Sequence, residues 1–329
     1  MSTQKASAIA HPNIALIKYW GNREQGLRLP ANGSISMNLA ALETRTSVRL
    51  RADKQTDLLF INDKAQHGSA LARVQEFMRL LRELSGQPYF AEVRSHNNFP
   101  SSAGIASSAA AFGALALSGA HAYGLELAEK DLSRLARRGS GSACRSIPPG
   151  FTEWQVGSGD ADSYAISIAP PDHWELWDCV ALVQTAAKST GSSEGHALAV
   201  TSPLQTARVA DTPRRLKVCR QAVLSKDFEC LAKVIELDSH MMHAIMQTSQ
   251  PALLYWQPAS LLVMQSVTEM RRQGLEAAST LDAGPNVHVI CTAAALESVR
   301  QHLAGLPGVL QVLASPVGGA ARLIEGQPN

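Results

Sequence analysis

The spacing of apolar residues in the first half of the chain predicts three strands. The apolar run at 13–19 (NIALIKY) is typical of a strand with little exposed surface. Thr44–Arg51 alternates polar and apolar residues, as a half-exposed strand does. Leu58–Ile61 is short and apolar and follows a polar turn, so we expect it to be the hairpin partner of Thr44–Arg51.

Helical spacing follows the predicted strands. Apolar residues at 70–84 recur three and four positions apart, which indicates an amphipathic helix. After a polar loop at 97–104, the small residues of 106–123 predict an alanine-rich helix. Asp131 is expected to cap a third helix that ends at Arg138.

The pattern breaks at 169–172 (APPD), where we predict the boundary between a domain at 1–172 and a domain at 173–329. The second half mixes strands and helices without a regular βαβ repeat, so the predicted fold class is α+β. Strands are predicted at 177–185, 287–291 and 309–314, and helices at 203–224, 227–246, 260–273 and 293–304.

Composition argues against several classes of protein. The chain has 329 residues, 45% of them hydrophobic, which is enough for two domains. A net charge of +2 is unlike that of a nucleic-acid binder. No apolar run reaches the about 18 residues of a membrane span, and the first ten residues lack a signal-peptide pattern. The five cysteines are odd in number and show no paired spacing, so we expect free thiols in a reducing cytoplasm.

The segment 99–111 (FPSSAGIASSAAA) is the first candidate for chemistry. Tiny side chains give a ligand access to the backbone, and the start of the following helix offers free N–H groups to an anion such as a triphosphate. The alternative is a helix kept small only for close packing. The segment lacks the Gly-Lys-Ser/Thr ending of a Walker A loop.

Three charged residues stand out singly. Arg145 follows a Gly/Ser loop, and its planar guanidinium could grip a carboxylate with two hydrogen bonds. Lys18 interrupts an apolar strand and therefore needs a partner or a function, unless its ammonium reaches solvent from the strand end. Asp282 precedes a tight turn, where an acid is often only a turn former. His240 and His243 are too loosely arranged to indicate a metal site.

Four motifs together resemble the mevalonate diphosphate decarboxylase family. They are 11–21 (HPNIALIKYWG), 97–109 (NNFPSSAGIASSA), 135–146 (LARRGSGSACRS) and 282–286 (DAGPN). The resemblance implies the two-domain GHMP kinase fold, with an active site in the cleft between the halves. It also implies ATP and Mg²⁺ as cofactors and a small phosphorylated mevalonate as the small-molecule partner, with no nucleic acid or membrane partner and a possible homodimer. In the family reaction, the 3-hydroxyl is phosphorylated, and phosphate and CO₂ then leave. Many members are homodimers, although no hydrophobic face in this sequence identifies an interface.

The resemblance also implies residue roles. Asp282 would orient or deprotonate the tertiary hydroxyl, Lys18 would pair with Asp282 and the transferring phosphate, and Arg145 would hold the carboxylate. The ATP phosphates would contact Ser101, Ser102, Gly104, Ser107 and Ser108, with Mg²⁺ reaching Ser107 through ATP. The substrate would contact Tyr19, Asn22, Ser140, Ser142, Ser192 and His196.

The sequence departs from the family pattern near the substrate's phosphate tail. Asn22 replaces the usual lysine, His196 the usual methionine, and Ser193 the arginine of some bacterial members. Residues 147–150 (IPPG) replace an aromatic residue and two glycines. Fewer cations favour mevalonate 5-phosphate as the substrate, giving isopentenyl phosphate. The alternatives are the 5-diphosphate, a kinase without decarboxylation, and a catalytically inactive ligand-binding regulator.

Overall fold

The computed structural model describes residues 5–100, 107–184 and 191–324. Its helices and strands are numbered here in chain order. The strands are β1 (Lys5–Ala10), β2 (Asn13–Ile17), β3 (Asn22–Glu24), β4 (Leu29–Pro30), β5 (Ser34–Asn38), β6 (Thr44–Arg51), β7 (Leu58–Ile61), β8 (Lys64–Ala65), β9 (Phe90–Asn97), β10 (Phe151–Trp154), β11 (Ala165–Ala169), β12 (Leu176–Leu182), β13 (Ala277–Thr280), β14 (Val287–Thr292), β15 (Gln311–Pro316) and β16 (Arg322–Leu323). The α-helices are α1 (Gly68–Ser85), α2 (Ser107–Ala122), α3 (Glu129–Gly139), α4 (Ser192–Leu198), α5 (Gln205–Ser225), α6 (Phe228–Thr248), α7 (Pro258–Arg272) and α8 (Leu296–Ala304).

The strands form sheets that mostly keep to one half of the chain, although β16 from the second half pairs with β1 at the edge of a first-half sheet. One sheet has the order β16-β1-β6-β9-β7-β8, and a second has the order β11-β10-β5-β2. The C-terminal half builds its own sheet in the order β13-β14-β12-β15. Helices and mostly antiparallel sheets therefore mix in both halves, which confirms the α+β class. The boundary near residue 172 stays a prediction. Among the described residues, no helix has the length and apolar character needed to cross a bilayer.

Helix α2 explains the run of small residues in the first half. Alanines 109, 110, 114, 116 and 120 are all buried, and the helix packs against β1 and β6. A Cβ on Gly113 would lie only 3.1 Å from the Cβ of Ala10 and 3.3 Å from that of Ser146. Close packing therefore requires small residues along the described part of this helix, independently of any ligand at its start.

Two local predictions are wrong. Leu58–Ile61 is not the partner of Thr44–Arg51, because β9 lies between β6 and β7 and pairs with β7 in parallel. The chain from β7 to β9 passes through α1, whose buried face (Val74, Phe77, Met78, Leu81) covers that sheet. Asp131 does not cap α3: the N-cap is Ala128, and Asp131 accepts a hydrogen bond from Arg134 in the first turn.

A buried ionic network joins the two halves around Lys18. Asp238 on α6 is fully buried, and its Oδ2 accepts a 2.6 Å hydrogen bond from the backbone N–H of Lys18. Its Oδ1 accepts a 2.7 Å bond from Nε of Arg215. Arg208 donates at 2.9 Å to the carbonyl of Lys18. Both backbone groups of Lys18 are thereby fixed by α5 and α6.

Asp238→Ala should destabilise the fold strongly, because it leaves the guanidinium groups of Arg208 and Arg215 buried without their shared carboxylate. Breaking one side of a buried charged network typically costs about 3–5 kcal/mol in the free energy of unfolding. Urea denaturation measures this cost. Glu229→Ala, which removes an exposed pair with Lys233, is the control and should change little. Equal small effects of both substitutions would contradict the role of this network.

Candidate active site

Lys18 and Asp282 meet between the two halves. Lys18 follows β2 and is 1% exposed, and its Nζ lies 2.7 Å from Oδ1 of Asp282 in the turn after β13. The Asp282 side chain is 27% exposed. Burial would raise the pKa of Asp282, but the charges of Lys18 and His288 hold it below its ordinary value. The carboxylate is therefore ionised beside an ammonium and remains accessible.

Arg145 places a second positive charge near Asp282. It lies on a 3-10 helix, Gly141–Ser146, and is 2% exposed. Its Nε donates to Asn13 Oδ1 (3.2 Å) and Ser36 Oγ (3.0 Å), and its Nη1 donates to Ser34 Oγ (2.6 Å). Burial lowers the pKa of Arg145, while the negative charge of Asp282 partly offsets this effect. Among the described residues no carboxylate forms an ion pair with Arg145, so neutral groups hold a guanidinium suited to an anion.

The side chain of Asn22 is engaged by its neighbours. The Tyr19 hydroxyl donates to Asn22 Oδ1, and Asn22 Nδ2 donates to Gln25 Oε1 at 2.8 Å. Burial raises the pKa of Tyr19 well above its ordinary value, so its hydroxyl stays protonated. A Cβ on Gly141 would lie 2.7 Å from the Tyr19 ring, so the glycine permits their approach.

His196 packs as an aromatic ring. It stacks on Tyr19 with ring centroids 4.1 Å apart and lies 4.6 Å from the ring of Trp20. The backbone N–H of Gly21 donates to its Nδ1 at 3.0 Å. Because Nδ1 accepts this bond, the imidazole is neutral in this arrangement. It therefore supplies no positive charge at this position.

The predicted serine sites are brought together only in part. Ser108 in the first turn of α2 contacts Ser140 after α3, with 3.1 Å between their hydroxyl oxygens. The carbonyl of Ser142 accepts a bond from Asn13 at 3.2 Å. Ser107 begins α2. The other predicted contacts lie outside the described residues: Ser101, Ser102 and Gly104, and the side chains of Ser192 and Ser193.

The first turn of α2 fits a magnesium triphosphate. It contains no acidic residue and opens with two hydroxyl side chains, Ser107 and Ser108, and the buried residues that follow are alanines. A helix start of this kind presents N–H groups and a positive dipole end to phosphate oxygens. Within the described ranges, no group of three or more His, Cys, Asp or Glu residues is placed to hold a metal ion. Magnesium would therefore be held through the phosphates, with a serine hydroxyl as the fitting protein ligand.

Sequence reasoning missed two arginines beside Tyr19. Arg28 Nε donates to the carbonyl of Arg138 at 3.1 Å, and Arg73 donates twice to the carbonyl of Gly139, at 3.1 and 2.8 Å. Burial, together with the charge of Arg28, lowers the pKa of Arg73 to about 10. Neither arginine has a carboxylate partner among the described residues. Nothing in the sequence distinguishes them from ordinary surface arginines, since only the fold brings both to the end of α3.

Comparisons with known proteins match nearly the whole chain. A family model described as Diphosphomevalonate decarboxylase-like N-terminal domain matches residues 10–165, and one described as Mevalonate 5-diphosphate decarboxylase C-terminal domain matches residues 179–311. A diphosphomevalonate decarboxylase from Candida albicans is 34% identical over 343 residues, covering 97% of this chain and 95% of the relative.

Solved structures give the same result for the fold. A structure described as MDDEF in complex with MVAPP, AMPPCP and magnesium has a TM-score of 0.94 and 37% identity, covering 99% of this chain and 100% of that one. The mevalonate diphosphate decarboxylase from Staphylococcus aureus has a TM-score of 0.94 and 34% identity, covering 98% of each chain. The fold is thus the two-domain GHMP kinase fold. The chain belongs to the diphosphomevalonate decarboxylase family, a family of ATP-dependent decarboxylases.

Proposed function

We propose that this enzyme uses ATP and Mg²⁺ to decarboxylate mevalonate 5-diphosphate to isopentenyl diphosphate. The observation that carries the proposal is the convergence of Asp282, Lys18 and an Arg145 that has no carboxylate partner among the described residues. That set matches the three demands of the reaction, which are a base, a phosphoryl-binding cation and a carboxylate-binding cation. The diphosphate is favoured because the matched relatives are named for it.

The chain's own residues divide the work. When bound, magnesium ATP supplies the phosphoryl group. Asp282 orients the 3-hydroxyl and takes its proton, and Lys18 stabilises negative charge on the phosphoryl group as it is transferred. The C–O bond to the new phosphate group then breaks, and the phosphate leaves with the bonding electron pair. The bond to the carboxylate breaks as well, and its electron pair forms the alkene. Arg145 keeps that carboxylate in place until CO₂ leaves.

Arg28 and Arg73 are proposed to bind the substrate's 5-phosphate tail. Both guanidinium groups donate to backbone carbonyls, those of Arg138 and Gly139, which directly precede Ser140. Both also lie close to Tyr19. Two half-buried cations with no carboxylate partner among the described residues are electrostatically unbalanced. A bound phosphate would supply the missing negative charge through charge-assisted hydrogen bonds.

Mevalonate 5-phosphate is the second candidate substrate, and Asn22 favours it. The Asn22 side chain is bonded to Tyr19 and Gln25, and the neighbouring His196 is neutral. These two positions therefore supply no cation for a second phosphate.

Placement of the enzyme in the cytoplasm is also proposed, and it is supported by five cysteines that are all free thiols. The homodimer implied by the resemblance stays a prediction.

Asp282→Asn should lower turnover by about two to four orders of magnitude, because the amide cannot accept the hydroxyl proton. ADP release and CO₂ trapped from carboxyl-labelled substrate are measured together. Asp53→Asn, at an exposed carboxylate, is the control. Turnover within threefold of wild type would rule out the role of Asp282. ADP formation without CO₂ in the wild-type enzyme would identify a kinase instead.

Arg145→Lys should reduce kcat and raise KM, since an ammonium cannot reproduce the bonds of the guanidinium to Asn13, Ser34 and Ser36 while also holding a carboxylate. The exposed Arg45→Lys serves as the matched control. If the Arg145→Lys variant kept both constants, the carboxylate would be bound elsewhere.

The two substrates are to be compared by kcat/KM at saturating ATP and Mg²⁺. We expect the diphosphate to be preferred; a preference for the monophosphate would establish the second candidate. Asn22→Lys should improve use of the diphosphate by about tenfold to a hundredfold, since a charge-assisted hydrogen bond contributes about 1.5–3 kcal/mol. Gln221→Lys on the exposed face of α5 is the control.

Arg73→Gln should raise KM for the phosphorylated substrate but not for ATP.

A further inference from the structure

The backbone beside Asp282 is held by a buried serine on α6. Ser239 is 1% exposed. Its hydroxyl oxygen accepts a 2.9 Å hydrogen bond from the backbone N–H of Leu281. The same hydroxyl donates to the carbonyl oxygen of Leu281 at 3.4 Å. Leu281 directly precedes Asp282 in the chain, and the proposed mechanism gives Ser239 no role.

Ser239 acts at the edge of the C-terminal sheet. In the order β13-β14-β12-β15, β13 is an edge strand, and among the described residues only β14 pairs with it. Backbone N–H groups on the outer side of an edge strand need other partners, and α6, which packs against β13, supplies them. Glu236 accepts the N–H of Ser279 at 3.1 Å. Two residues further along the chain, Ser239 accepts the N–H of Leu281. Because residues three apart share one face of a helix, a single face of α6 sets the path of the chain into Asp282.

The same helix also holds Lys18. Asp238, the residue before Ser239, accepts a 2.6 Å hydrogen bond from the backbone N–H of Lys18. Helix α6 packs against β2, which ends directly before Lys18. Consecutive residues of a helix lie about 1.5 Å apart along its axis and point in directions about 100° apart. Helix α6 therefore lies between the two chain segments and binds the backbone of each through adjacent side chains.

This arrangement sets the separation of Lys18 and Asp282, whose side chains meet at 2.7 Å across 264 residues of chain. Within the turn, the N–H of Gly284 donates to the carbonyl of Asp282 at 2.8 Å, and this local bond moves with the turn. Ser239 instead ties the start of the turn to the helix that holds Lys18. Loss of its hydroxyl leaves the N–H of Leu281 without that partner and lets the turn shift relative to Lys18.

We propose that Ser239 is a positioning residue for the reaction: it keeps the carboxylate of Asp282 at the distance from Lys18 that is required to take the proton of the substrate hydroxyl. The inference rests on the proposed role of Asp282 as the base. A displacement of about 1 Å in a reacting group can lower a rate about a hundredfold. Because Ser239 acts through Asp282, its effect is on kcat and not on substrate binding.

The first experiment measures kcat and KM of Ser239→Ala by ADP release. We expect kcat to fall about tenfold to a hundredfold, while KM for ATP and for the phosphorylated mevalonate stays close to its wild-type value. Ser118→Ala is the matched control. Ser118 is 0% exposed on α2, and its hydroxyl donates to the carbonyl of Ala114 at 2.7 Å. This control also removes a buried hydroxyl that is bonded to backbone, and both constants should be unchanged.

A second experiment shows whether Ser239 acts through Asp282. Ser239→Ala is combined with Asp282→Asn, whose residual turnover is the baseline. Without the carboxylate, loss of the Ser239 hydroxyl should lower turnover less than about threefold, because coupled residues are not additive. A loss of folded enzyme would instead multiply with the effect of Asp282→Asn.

Ser239→Cys replaces Ser239→Ala if the alanine variant fails to fold. The thiol fills a similar volume but is a weaker donor and acceptor than the hydroxyl. We expect this variant to lower kcat, by a smaller factor than the alanine variant, with KM unchanged.

The outcomes separate this inference from the proposed function. A kcat near the wild-type value in the folded Ser239 variant, or an undiminished effect of that variant in the Asp282→Asn background, overturns the role of Ser239. If Asp282→Asn alone still abolishes turnover in that case, the proposed function stands. If Asp282→Asn keeps wild-type turnover, Asp282 is not the base and both proposals fail.

Discussion

The contact between Lys18 and Asp282 is the constraint on which the site depends. An ammonium that is 1% exposed loses most of its hydration, and a single carboxylate from the other half of the molecule compensates for it. The rest of the architecture keeps these groups together. Asp238 and Arg208 fix the backbone of Lys18, and the backbone N–H of Gly284 donates to the carbonyl of Asp282 in the turn after β13.

Positive charge exceeds negative charge around this contact. Within the described part of the chain, Arg145, Arg28 and Arg73 have neutral side-chain or backbone partners, whereas Lys18 is paired with a carboxylate. Such a concentration of positive charge is electrostatically costly, which is acceptable when the substrate is itself a polyanion. The phosphoryl groups and the carboxylate of a phosphorylated mevalonate would restore the balance. Binding and charge compensation are then the same event.

Most regular elements could be predicted from local pattern because burial of one face imposes a period of two on strands and about 3.6 on helices. The helices at 203–224, 227–246 and 260–273 correspond to α5, α6 and α7 within a few residues. The pairing of β7 could not be predicted in this way. An apolar strand shows that it is buried but not which strand lies beside it, and α1 carries the chain across to a parallel partner.

The sequence by itself determined the family, the α+β class and the identity of the three charged residues, because an ordered set of motifs and a charge in an apolar run are local properties. Tertiary structure decided the rest. It made Lys18 and Asp282 partners across 264 residues of chain, surrounded Arg145 with neutral hydrogen-bond acceptors, and gathered Arg28 and Arg73 at the end of α3. It also brought Asp178 and His288 together inside the C-terminal sheet. Such arrangements depend on which distant residues share a dry, low-dielectric space, and only the packed fold defines that space.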